Sequence, residues 1–179
     1  STGVIERLAQ GVYRMAGSPA QEHESVYATW LALGGATVPR TATGVAAIVA
    51  AGTTAAIAHD IGDFFPDGYD FIVPSRKGTR LPDVRLRIRK LSRDEVIPVA
   101  GLPALTVERT IADLVEIGTD ISLVADALRD AVRADKLVAP NRLATHLSPI
   151  AERRKITGRI MANDLFELAG VYPEGWEQG

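Results

Sequence analysis

Gly101-Leu-Pro-Ala-Leu-Thr-Val-Glu-Arg-Thr-Ile-Ala-Asp-Leu114 joins a strand to a helix in one uninterrupted run. Pro103 fixes its own backbone and pushes Leu102 toward an extended conformation. Thr106 suits an N-cap, because its hydroxyl can accept from a free N–H of the helix that follows. Glu108 falls in the first turn, where the helix dipole favours negative charge. Val107, Ile111, Leu114 and Val115 recur at i, i+4, i+7 and i+8, the stripe of a core-facing amphipathic helix. Arg109 and Asp113 stand one turn apart beside that stripe and can pair, worth roughly 0.2–0.5 kcal/mol on an exposed helix. The pair reads as a helix-stabilising salt bridge or as two charges presented to a partner.

Upstream, Pro66-Asp-Gly68 is a turn signal, followed by extended segments at Tyr69–Val73, Val84–Lys90 and Val96–Val99. Before them the pattern predicts a helix from Glu22 to Leu33, with Val26, Trp30 and Leu33 inward, ended by Gly34-Gly35. A small-residue helix is expected from Thr43 to Ala51, stopping at Gly52. Downstream, Ile121 to Ala134 is strongly amphipathic. Pro140 opens a short helix carrying Leu143 and Leu147, Ser148-Pro149 starts another, and a last one runs from Arg159 to Ala169, stopped by Gly170. The fold class that follows is α/β (α+β), a small mixed sheet surrounded by helices. Residues 3–16 read as a short β-hairpin around Gln10-Gly11, and the expected organisation is 1–17 hairpin, 18–170 main domain, 171–179 loosely held tail.

The chain has 179 residues, 46% of them apolar, enough for one substantial core. Its net charge of −2 gives no overall positive field, so any nucleic-acid contact must come from local patches. The absence of cysteine excludes disulfides, thiolate catalysis and cysteine-ligated zinc. A cytoplasmic protein is expected. The alanine-rich run 42–58 is too broken by glycine, threonine and His59 to suggest a membrane span.

Motifs for catalysis are sparse. His23, His59 and His146 lack metal-ligand spacing and read as surface or packing residues, and no phosphate-binding Gly-x-x-x-x-Gly-Lys loop occurs. No lysine has a carboxylate two positions before it, and no Asp-x-Asp exists. No metal, cofactor or catalytic residue is therefore expected. The positive signal is basic: Arg76, Lys77, Arg80, Arg85, Arg87, Arg89, Lys90 and Arg93, expected to lie in one hairpin, are opposed within their window only by Asp83. On an extended strand, Val84, Leu86 and Ile88 face the core while Arg85, Arg87 and Arg89 share the other face, about 6.6–6.8 Å apart. Such a stripe suits an anionic partner, or it is the solvated face of an outer strand. Arg153-Arg-Lys155 with Arg159 is a smaller cluster.

With these residues in view, the chain resembles the AbiEi family of bacterial antitoxins, the autoregulatory partners in abortive-infection toxin-antitoxin modules. Ile5-Glu-Arg-Leu-Ala-Gln-Gly-Val-Tyr-Arg14 looks like the wing of that family's N-terminal winged helix-turn-helix. Phe71-Ile-Val-Pro74 with the basic loop and arginine strand looks like the centre of its C-terminal domain, and 101–114 looks like the most specific piece. The wing tip departs from the family in carrying Gln10 where a basic residue is common. The resemblance implies an antitoxin and transcriptional regulator, with no enzymatic activity of its own. It would neutralise a nucleotidyltransferase-like toxin, directly or indirectly, and repress its operon. Arg7 and Arg14 would contact operator phosphates, and Arg76, Lys77, Arg80, Arg85, Arg87 and Arg89 an anionic partner. With Gly3 already in the wing, the groove-reading helices would precede Ser1, so this chain alone is expected to bind operator DNA weakly. The competing expectation is a metal-dependent nuclease or nucleotidyl-transfer enzyme with carboxylates converging from separate elements.

Overall fold

The computed structural model describes residues 18–178. The expected wing hairpin, with Arg7 and Arg14, lies outside the described residues. From Ser18 the chain runs α1 (Pro19–Ala32), β1 (Val49–Ala50), α2 (Gly52–Ala58), β2 (Tyr69–Val73), β3 (Val84–Ile88), β4 (Val96–Val99), β5 (Leu102–Leu105), α3 (Val107–Glu116), α4 (Ile121–Arg133), α5 (Pro140–Arg153) and α6 (Gly158–Ala169). The expected mixed α/β architecture is present. The strands form one sheet in the order β3-β2-β1-β5-β4. β1 pairs antiparallel with β2 and parallel with β5, while β4 and β5 form an antiparallel hairpin.

Local chemistry accounts for several helix ends. Ser18 and Gln21 form a capping box that starts α1, and Thr106 caps α3 by accepting from the Arg109 N–H. Asp120 and Thr157 cap α4 and α6 in the same way, and Gly170, left-handed at φ 75°, ends α6. Alternation along β2 sends Phe71 and Val73 to a cluster with Val26, Trp30 and Leu33 of α1. Ile72 faces the opposite way, with Val49, Ala55 and Leu105. A third and larger cluster joins α3, α4, α5 and α6 around Ile111, Leu128, Leu143, Leu147 and Phe166, all buried. Trp30 is fixed by its indole N–H, which donates to the Ile48 carbonyl at 2.9 Å.

Four expectations require correction. Residues 43–51 form a turn and then β1, and the helix begins at Gly52 instead of ending there. Sheet pairing of Val49-Ala50 on both sides overrides the helix preference of the alanines. The basic segment is not a hairpin: β2 and β3 are parallel, Tyr69 opposite Val84 and Val73 opposite Ile88, so the loop 74–83 must carry the chain back along the whole of β2. Leu81 of that crossover packs on the α1 cluster. Pro149 lies inside one continuous helix, α5, and does not open a new one. Finally, the tail is anchored. Trp176 lies edge-on to Phe166 with centroids 4.9 Å apart, its indole N–H donates to Asn163, and the Arg159 guanidinium sits 4.2 Å from its ring centre.

Candidate functional site

Asp70 is a carboxylate in an otherwise apolar, buried strand, and only 2% of it is exposed. Its backbone N–H donates to the Thr54 hydroxyl of α2 at 2.7 Å. Its side chain meets Arg87 of the neighbouring β3, whose Nε donates to Asp70 Oδ1 at 3.0 Å. The same guanidinium forks onto Asp113 of α3, with Nη1 3.1 Å from Oδ1 and Nη2 bonded to Oδ2. Asp113 is wholly buried, and its Oδ2 also accepts the Gly52 N–H at 2.8 Å. Gly52 is required there: its φ is +54°, and a Cβ would come within 2.5 Å of Asp70 Oδ2. One planar donor thus ties the edge strand to β2 and α3, and the two aspartates it holds join α2 through the Gly52 N–H and the Thr54 hydroxyl.

The lattice continues along α3. Arg109, 1% exposed, donates to Glu116 at 2.8 Å and stands 4.0 Å from Asp113 and 3.7 Å from Glu95. Glu116 also receives Arg89, the residue that follows β3, at 3.0 Å. Glu108 is buried as well and accepts the Ala139 N–H at 2.9 Å, tying the start of α5 to α3. Glu108, Arg109 and Asp113 of α3 are therefore interior, with Glu116 at the exposed end, and the Arg109–Asp113 pair belongs to a buried network in place of the exposed helix salt bridge the spacing suggested. Arg109 Nε and His146 Nε2 are buried polar atoms with no hydrogen-bond partner among the described residues.

The electrostatics follow from burial. Loss of solvent raises the Asp70 carboxyl above the ordinary range, and the hydrogen bond and charge of Arg87 only partly offset it. Burial opposes charge on Arg87 too, but its bonds to Asp113 and Asp70 outweigh that and strengthen its hold on the proton. His59 and His146 are both shifted down, burial being the main cause in each. His59 Nε2 lies 2.7 Å from the Leu105 carbonyl, which fixes that nitrogen as the protonated one in the neutral ring.

The residues expected to meet an anionic partner divide into two groups. Arg87 and Arg89 are engaged by carboxylates of the protein itself. Arg76, Lys77, Arg80 and Arg85 are exposed on the crossover and the edge strand, without an ion pair among the described residues. Ile88 is 61% exposed instead of facing the core, because β3 is the last strand of the sheet. Asp70, Glu95 and Glu116 were not singled out in the sequence. The signal available for Asp70 was its position: a carboxylate inside Tyr-Asp-Phe-Ile-Val demands a cation on a neighbouring strand. Among the described residues no group of three or more His, Cys, Asp or Glu side chains could hold a metal ion, and no helix is long and apolar enough to cross a membrane. No protein-family model matches the chain, and no curated protein matches it.

Proposed function

We propose that the chain is the antitoxin of a bacterial toxin-antitoxin pair. In this reading it works in the cytoplasm as a binding protein, neutralising a nucleotidyltransferase-like toxin and contributing to repression of its own operon. One observation carries the reading: the cations Arg76, Lys77, Arg80 and Arg85 stand open on the crossover and edge strand, while the interior carboxylates next to them are already held by arginines. Such a surface offers attraction to an anionic partner, and the AbiEi-like stretches of sequence supply the class of partner.

The test is co-expression with the toxin encoded beside this chain's gene. The native chain should restore growth, and the charge-reversed R76E/K77E/R80E/R85E variant, checked for folding, should fail to do so or should lose salt-dependent retention of operator DNA. Undiminished rescue and undiminished DNA retention by that variant would overturn the reading. The alternative is a metal-dependent nuclease or nucleotidyl-transfer enzyme, in which Asp70 and Asp113, the carboxylates that converge from separate elements, would have to exchange Arg87 for a divalent cation. Manganese-dependent cleavage of DNA or RNA, abolished by Asp113→Asn in a folded variant, would establish it instead.

A further inference from the structure

The segment 40–47 stands between two hollows that meet at Val45 and Ala46, which line both. The first, about 300 Å³, opens past the C-terminal ends of the parallel strands β2 and β3, a position where α/β sheets present crevices. Ile72, Val73 and Leu91 line it together with Arg89 and Lys90. The second, about 240 Å³, is walled by Val96, Pro98 and Pro103 with Arg40 and Arg93. No lining residue of either hollow carries a carboxylate. The acidic side chains near Arg93 are occupied: Asp94 by Arg142 and Ser92, and Glu95 by the Ser92 N–H and Arg109. Lys90 and Arg93 are exposed and have no ion pair among the described residues.

Size and chemistry together select the occupant. Small-molecule pockets run from about 300 to 1,000 Å³, so each hollow is at or below the small end of that range yet ample for one apolar side chain. A nucleic-acid strand would satisfy the cations but leave the apolar first hollow and the apolar wall of the second unfilled, and no aromatic residue lines them for base stacking. A small acid would occupy one hollow and ignore the other. A polypeptide can fill both and cross Val45 and Ala46 between them. We propose that this saddle is a docking site for an acidic, extended segment of a partner protein. Apolar side chains of the segment enter the two hollows, and its carboxylates meet Lys90, Arg93 and Arg40. The site is separate from the crossover cations and stands whether or not the antitoxin reading holds.

The experiment is selection of a displayed random dodecapeptide library on the whole chain. Retention is then compared on Lys90→Glu/Arg93→Glu, on Ala46→Trp, which fills the point where the hollows meet, and on Arg133→Glu as a control on α4. Enrichment of peptides combining aspartate or glutamate with apolar residues, bound at least tenfold more weakly by the charge-reversed and tryptophan variants but equally by the control, is the expected result. Circular dichroism verifies folding, and the surface charge reversals keep the test decisive should Ala46→Trp misfold. Absence of an enriched class, enrichment of peptides without acidic residues, equal retention on all variants, or displacement by a single-stranded DNA 20-mer would each overturn the assignment.

Discussion

Removing the Arg87 guanidinium would leave Asp70 buried with no cation beside it and Asp113 with only Arg109, 4.0 Å away. The cost of breaking such a pair from one side is about 3–5 kcal/mol, because the remaining charges stay desolvated. Arg87→Ala should therefore lower the urea-unfolding free energy by that order. Arg87→Lys should recover only part, since an ammonium cannot fork onto two carboxylates; full recovery would mean that the fork does not matter. Asp70 gives the lattice a pH dependence whose sign follows from its raised pKa. The folded chain holds the Asp70 proton more readily than the unfolded chain, so this group contributes stability in acid that is lost as pH rises from about 4 through the folded value. Asp70→Asn, neutral throughout, should gain on the native chain as pH rises across that window, and a constant difference in unfolding midpoints would refute this. His59 works in the opposite sense. Burial lowers its pKa, so its contribution is present above the unfolded value of about 6.5 and is lost as pH falls from there through the lower folded value. Thermal melts of His59→Gln against the native chain, between about pH 5 and 7.5, should show a flatter acid limb.

At the scale of elements, the strongly amphipathic helices and the Thr106 cap were legible, and the short α2 and the partnership between elements were not. Thr106, the apolar stripe of α3 and the amphipathic pattern of α4 carried enough local information to place those helices. The Arg109–Asp113 spacing is identical on an exposed and on a buried helix, so nothing local revealed that α3 would turn its charges toward β3. A parallel crossover and a hairpin also look alike in sequence when both join extended segments. The 74–83 loop was long enough for either, and tertiary pairing decided. Two-sided pairing likewise made β1 from residues that favour a helix when taken alone. Close approach between helices is also invisible locally. A Cβ on Gly158 would lie 2.0 Å from the Ala144 carbonyl oxygen of α5, so Gly158→Ala must push α6 away from α5. The expected loss is roughly 1–3 kcal/mol, the usual range for overpacking, read from chemical denaturation. A neutral outcome would mean that the contact between α5 and α6 relaxes freely.

Across the whole molecule, the C-terminal segment closes the helical cluster, with Trp176 resting on Phe166 and Asn163. Trp176→Ala should cost about 0.5–1.5 kcal/mol in aromatic contact beyond the loss of buried area. Amide exchange in α6 should accelerate accordingly; unchanged exchange would show the segment to be dispensable. The arginines of β3 carry a different consequence. They recur at every second position on one face, so sliding the strand by two residues along β2 again offers a guanidinium to Asp70 and Asp113. A one-residue slip is forbidden by the reversal of faces, but the two-residue slip keeps both the facing side and its charge. The strand is thus a rack with interchangeable teeth. Glu116, which engages Arg89, counts against the slip that would put Leu91 beside it, and the fixed length of the crossover counts against the slip in the other direction.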